Sequence, residues 1–169
     1  MHRVLLLLLL LFPMMPVGAQ RNEQAITPIH VTGLVSRQLT LDKSMLASLP
    51  VQDKAGFDLI NDKGEVKKKI TSFKCILLAD IIRKAGIQMV DHKDRGKYYI
   101  VVTASDHYQV VFGYDELMFG AEAAAAYLML EINGQTAGVD SGYIIACPGD
   151  RVTGPRYIKL VQEIEVRKI

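Results

Sequence analysis

The sequence predicts an α+β fold in a single domain, on three observations. Short strand-like runs outnumber helical ones along the 169 residues. They do not alternate regularly with helices, as a doubly wound parallel sheet would require. Once an N-terminal leader is set apart, about 150 residues remain, one domain's worth of chain and enough to bury a single core. Half of all residues are apolar and no low-complexity tail intervenes, which is the composition of an ordinary globular protein.

The leader comes first. Arg3 gives a short positive start, Val4 to Phe12 is an unbroken apolar run, and Val17-Gly18-Ala19 offers the small residues that a signal peptidase reads. The run falls short of the roughly 20 apolar residues needed to cross a bilayer. The expectation is a signal peptide over residues 1–19, with a retained anchor as the other reading. Cleavage near Gln20 would leave no stable membrane anchor and a periplasmic or secreted chain. Residues 20–28 then form an N-terminal extension and 29–169 the domain. Residues 1–19 hold Arg3 and no acid, so their loss lowers the formal charge from +2 to about +1. So near-neutral a chain lacks the dense basic face that nucleic acid requires.

Ile29 to Val35 predicts the first strand, and Thr40 to Leu49 a short helix capped by Thr40 or Asp42 and stopped by Pro50. Val51 to Ile60 and Glu65 to Phe73 flank Asn61-Asp-Lys-Gly64, a hairpin signal. Lys67, Lys68 and Lys69 on the second arm suit a solvated or edge strand. Ile76 to Ala85 is the clearest helix: Leu77, Leu78, Ile81 and Ile82 form one stripe, Arg83 and Lys84 favour the C-terminal end, and Gly86 closes it. Polar residues 88–97 predict a loop. Tyr98 to Ala104 and Tyr108 to Phe112 predict a second hairpin around Ser105-Asp-His107. Tyr114 to Met118 suggests a helical turn, extended by the alanines at 121 and 123–126. Ala126 to Ile132 is strand-like and ends at the tight-turn pair Asn133-Gly134; Ile144 to Cys147 and Tyr157 to Arg167 complete the set.

Cys75 and Cys147 are the only cysteines. They form one disulfide or remain two buried thiols. Neither a CxxC pair nor zinc-type Cys/His spacing is present, so no metal held by protein ligands is expected.

Several segments, in this order, resemble the oxidoreductase molybdopterin-binding domain, the central domain of the sulfite oxidase family. Val31-Thr-Gly-Leu-Val35, Leu39-Thr-Leu41 and Leu49-Pro50 resemble its opening strand, L-T-L and L-P. Phe73 to Gly86 echoes Y-x-G-V-P-L-x-D-L-L-x-x-A-G, and Ala104-Ser-Asp-His-Tyr108 echoes A-x-D-G-Y. Leu128 to Gly134, Gly142 to Asp150, and Gly154-Pro-Arg-Tyr-Ile-Lys159 with Ile164-Glu-Val166 resemble the closing motifs. The match spans about residues 29–168. It implies a mixed-sheet fold that, in the family's enzymes, binds molybdopterin through pterin and phosphate while a cysteine ligates molybdenum.

Three departures shape the functional expectation. The family's metal-binding cysteine lies between the L-P and the Y-x-G helix, but Val51 to Ser72 contains no Cys, and Phe57 or a neighbour stands about where the thiolate would be. The basic residues that accompany that cysteine are missing too. His107 replaces the Gly of A-x-D-G-Y, and Tyr143 the Pro of G-P. The leader adds a further point. Molybdenum cofactor is inserted in the cytoplasm, so exported enzymes of this kind use a twin-arginine signal, whereas only Arg3 precedes this apolar run.

The resemblance maps the family's cation pair onto Arg156 and Lys159, with Gly149, Gly154 and Pro155 letting backbone approach an anion. The plainer alternative is a polar turn with Asp150 and Arg151 solvated. His107, with Asp106 and Tyr108, is either an acid–base group at a hairpin tip or a solvated turn residue. The expected function is an exported protein binding a pterin or other small anion without Cys-ligated molybdenum. An active molybdenum oxidoreductase and a cofactor-free interaction scaffold are the alternatives; a protein partner is not specified by the sequence.

Overall fold

A computed structural model describes residues 27–137 and 142–169 of the chain. The predicted leader and most of the N-terminal extension lie outside the described residues. Strand dominates what is described. The first sheet is built from β1 (Ile29–Gly33), β2 (Leu39–Leu41), β5 (Tyr98–Ala104), β6 (Gln109–Gly113) and β10 (Val161–Lys168), in the order β2-β1-β10-β5-β6. It is mixed, because β1 runs parallel to β10 and every other neighbour is antiparallel. The second sheet is antiparallel: β3 (Val51–Ile60), β4 (Val66–Leu77), β7 (Tyr127–Ile132) and β8 (Gln135–Thr136) in that order, with β9 (Ile144–Ala146) also on β7. The α-helices are short: α1 (Lys43–Ala47), α2 (Leu78–Ala85) and α3 (Tyr114–Phe119).

Two apolar clusters hold these layers. The main one joins Val31, Ile100, Val102, Phe112 and Ile164 of the first sheet to Ile76, Leu128 and Ile145 of the second, with Leu78, Ile81 and Ile82 of α2. Each of those α2 side chains is buried, worth about 1.5–3 kcal/mol apiece. A second cluster of Ile70, Phe73, Cys75, Tyr127, Met129, Ile144, Ala146 and Tyr157 covers the opposite face of the second sheet. Sequential residues therefore alternate between clusters: Leu128 and Met129, Ile144 and Ile145, Ala146 and Cys147. Burial on both faces explains why these strands are continuous apolar runs rather than alternating ones.

Both predicted hairpins form, and Leu78, Ile81 and Ile82 make the α2 stripe, whereas Leu77, expected to be its fourth member, packs against the second cluster. The Asn133-Gly134 turn forms as well, with φ of 52° and 76° at its two positions, the pair of left-handed residues that such turns demand. Lys67, Lys68 and Lys69 are exposed, on the part of β4 that lies beyond its pairing with β7.

Helix is scarcer than the pattern predicts, for local reasons. Thr40 lies in strand β2, whose Leu39 and Leu41 both point into the core, so α1 begins later and Asp42 caps it through Met45 N at 2.8 Å. Ile76 and Leu77 end β4 instead of starting α2. Gly120 stops α3, and the alanines beyond it make only a 3-10 turn over Glu122–Ala124. Residues His92–Lys97, predicted as loop, wind into a 3-10 turn capped by Asp91. The last strand starts at Val161, because Leu160 adopts a left-handed φ of 53° and breaks the alternation.

Candidate functional site

An open cleft of about 360 Å³ lies on the second-cluster side of the molecule. Strand register assembles it. Lys54 of β3 stands directly opposite Phe73 of β4, and Tyr127 enters from β7. Ala55 and the Pro148–Gly149 turn complete the walls, with Glu122 at the rim. Phe57, Phe73 and Tyr127 pack edge-on, with centroids 5.7 and 6.1 Å apart, and give the cleft its apolar backing. The Lys54 ammonium lies 5.5 Å from the Tyr127 ring centre and donates to Glu122 Oε1 at 2.7 Å. That hydrogen bond holds the ammonium above its ordinary pKa. The Lys54 side chain is 27% exposed and that of Glu122 80%, so the carboxylate is readily displaced into water.

Of the predicted site residues, only Gly149 lines this cleft. Arg156 is already engaged: Nε and Nη2 bond both oxygens of Asp150, Nη1 bonds Glu116 Oε1 at 2.7 Å, and the guanidinium lies 5.4 Å from the Phe112 ring centre. The Asp150 hydrogen bonds raise its pKa further, so the cation is permanent. Asp150 is accordingly a paired, largely covered carboxylate and not the solvated turn residue of the plainer sequence reading. Lys159 is exposed and leans on a different ring, Tyr157, at 6.0 Å. Phe112 belongs to the main cluster and Tyr157 to the second, so the two cations rest on different cores. The glycine at 154 has a packing reason. Its N–H donates to the Ile60 carbonyl at 2.7 Å, and a Cβ there would meet that oxygen at 2.8 Å. Thr153 beside it accepts from Ile60 N and donates to Asp58 O, sealing the outer edge of β3.

The hairpin tip is likewise tied into the fold. Asp106 accepts from Tyr108 N at 3.0 Å, and Tyr108 OH donates to the Pro155 carbonyl at 2.6 Å, tying the tip to the Arg156 loop. His107 sits between them at φ 67°, a left-handed conformation that suits glycine far better than an imidazole-bearing residue. Its exposed side chain makes no hydrogen bond among the described residues, so it has no orienting partner for acid–base work. Ser105 N donates to Leu160 O at 2.9 Å, adding a second tie between the two segments.

Both cysteines are free and wholly buried, Cys75 in the second cluster and Cys147 in the main one. Burial pushes their thiols up to about 11 and about 12 respectively, so both stay protonated. Of the two readings of the cysteines, buried thiols hold. Among the described residues no three His, Cys, Asp or Glu side chains cluster as metal ligands would. Tyr143, at the position of the expected Pro, is buried and its carbonyl accepts from Val161 N.

Sequence reasoning missed Lys54, Phe73, Glu122 and Tyr127. No local motif marks them, since pairing of β3, β4 and β7 is what brings them together. The only available signal was a lone cation opposite an aromatic in the predicted hairpin.

The architecture is a mixed sheet packed on an antiparallel one, with few helices. The chain is similar in structure to the sulfane dehydrogenase SoxCD from Paracoccus pantotrophus, a molybdoenzyme of the sulfite oxidase family. The TM-score is 0.56 at 15% sequence identity, over 82% of this chain and 37% of that one. At that identity the likeness shows the fold, in agreement with the resemblance of the sequence motifs. The chain spans little more than a third of the dehydrogenase's length. No protein-family model and no curated protein matches the chain.

Proposed function

We propose that this chain is an exported, single-domain α+β binding protein on the molybdoenzyme-type fold, holding a small anionic ring compound such as a pterin without Cys-ligated molybdenum. The observation that carries the reading is the cleft itself. One ammonium, Lys54, stands over an aromatic backing, and its carboxylate partner is 80% exposed. An anionic ring could stack on Phe73 and Tyr127 and exchange with Glu122 for the ammonium. Lys159, which leans on Tyr157 of the same aromatic cluster, offers a second cation on that side. The site is thus moved from Arg156, which two carboxylates already satisfy, to Lys54.

The donor set fits molybdopterin only in part. A pterin ring and an anionic tail suit the cleft, but metal ligation calls for a thiolate. Cys75 and Cys147 are buried, protonated and in separate clusters. No step is assigned to a metal. When bound, a pterin would supply hydrogen-bonding edges and charge, and the protein's part would be Lys54 for charge, the rings for stacking and the Pro148–Gly149 turn for shape.

The test is purification from the periplasm of a host that makes molybdopterin, followed by metal analysis and fluorescence of the oxidised pterin. The expected result is pterin without stoichiometric molybdenum, reduced at least roughly tenfold in Lys54→Ala, the scale of one charge-assisted contact. Stoichiometric molybdenum would overturn the reading in favour of an oxidoreductase. Absence of both would favour a cofactor-free scaffold.

A further inference from the structure

We propose that β6 is the contact edge of a symmetric homodimer, in which Gln109–Gly113 of two copies pair antiparallel about Val111 and join their first sheets into one. Among the described residues β6 is the last strand of the first sheet, and β5 is its one partner there. The β5–β6 register and the bond from Ala104 N to Tyr108 O fix which groups face β5. Hydrogen-bonded pairs alternate in an antiparallel ladder. Val110 and Phe112 therefore spend their backbone groups on β5, and the N–H and C=O of Gln109 and Val111 point outward. So does Gly113, whose N–H has only a long 3.4 Å contact to Glu116.

Edge strands are normally blunted by charge, proline or a bulge. β6 has none of these: from His107 to Tyr114 the chain carries no Lys, Arg, Asp, Glu or Pro, and its pairing with β5 shows no register shift. Val111 is 58% exposed on this strand. The other long edge strand, β3, behaves differently. It carries Asp53, Lys54 and Asp58, and Thr153 and Gly154 seal its end. At the opposite edge of the first sheet, β2 is only three residues long.

A second copy fits this edge better than an arbitrary strand, because the sequence is complementary to itself. Pairing about Val111 sets Val111 against Val111 of the second copy and Gln109, the largest outer side chain, against Gly113, which has none. Charge does not oppose this register, because residues 108–114, which pair with one another across the two copies, carry no charged side chain. Val111 to Val111 spans about 5.5 Å between Cα atoms for a hydrogen-bonded antiparallel pair, within disulfide range.

Sedimentation of the purified chain across the micromolar range should show a monomer–dimer equilibrium. Val111→Lys, which places two like charges face to face, should raise the dissociation constant roughly tenfold or more while leaving the circular dichroism spectrum unchanged. Because both native thiols are buried, a cysteine added on β6 is the reactive one. Val111→Cys should oxidise to a covalent dimer, and Gln109→Cys, which faces Gly113, should not. A wild-type chain that stays monomeric throughout would overturn the proposal and leave the edge to a strand from another protein. Equal cross-linking of the two cysteine variants would refute the register.

Discussion

Arg156→Ala should destabilise the fold whether or not any ligand is present. The Asp150 side chain is 19% exposed and that of Glu116 39%, and Arg156 is the cation bonded to both. Truncation removes three charge-assisted hydrogen bonds and a guanidinium stacked on Phe112. It also leaves Asp150 largely covered, with no other salt-bridge partner among the described residues. Exposed ion pairs contribute roughly 0.2–1 kcal/mol, and breaking fully buried ones costs about 3–5 kcal/mol. The intermediate burial here places the loss at about 2–3 kcal/mol, a fall of roughly 6–9 °C in Tm for a domain of this size. Urea unfolding monitored by circular dichroism, with m unchanged, measures it directly. Arg156→Lys keeps the charge but loses the planar fork, and should recover less than half of the deficit. A loss below about 0.5 kcal/mol for Arg156→Ala would refute the structural assignment. It would return the guanidinium to the pool of groups held for an incoming anion.

Three further outcomes follow from named positions. His107→Gly should stabilise the protein by about 1 kcal/mol by removing a Cβ from a left-handed position, and an unchanged urea midpoint would contradict that. Neither cysteine should react with a thiol reagent at pH 8 until the protein is unfolded, when both should; native labelling of Cys147 would show that its buried environment is wrongly placed. Asp94 accepts from Lys168 and Lys97, chiefly Lys168, and its pKa falls to about 2 from the usual 3.8. Because the folded value is the lower one, its contribution is complete above the unfolded pKa and disappears as pH falls toward 2. Asp94→Asn should therefore flatten the loss of urea stability between about pH 4 and pH 2 and leave its slope above pH 5 unaltered.

What was legible in the sequence is what short-range chemistry decides. The Asn61–Gly64 and Asn133–Gly134 turns, the β5–β6 hairpin and the Leu78, Ile81 and Ile82 stripe of α2 all depend on residues within a few positions of one another; Leu77, expected in that stripe, is taken by the pairing of β4 with β7. Thr40 failed as a helix cap because Leu39 and Leu41 alternate into the core, and strand pairing with β1 outcompetes the local cap signal. The alanines after Gly120 have high helix propensity, yet the glycine ends the helix first. The site was least legible, since its members come from distant segments. Lys54 meets Glu122 and Arg156 meets Glu116, separations of 68 and 40 residues that no local pattern encodes.

In the closing G-x-R-x-x-K stretch, Gly154, Pro155 and Arg156 each have a partner inside the fold. Gly154 is required by the Ile60 carbonyl, Arg156 by Asp150 and Glu116, and the Pro155 carbonyl by Tyr108. Each demand is met within the folded chain, so presence of the motif by itself carries no information about a ligand. A residue reserved for a ligand has the opposite signature: a partner it can exchange at little cost. Lys54 has that signature and Arg156 does not. The two kinds of residue separate experimentally. Substitutions in the Arg156 network should change the unfolding midpoint of the empty protein, and Lys54→Ala, whose native partner is mostly in water, should leave that midpoint within about 0.5 kcal/mol while lowering retention of an anionic ring. If both substitutions moved stability alike, the Lys54–Glu122 pair would be a strut like the other, and the cleft would lose its claim to a ligand.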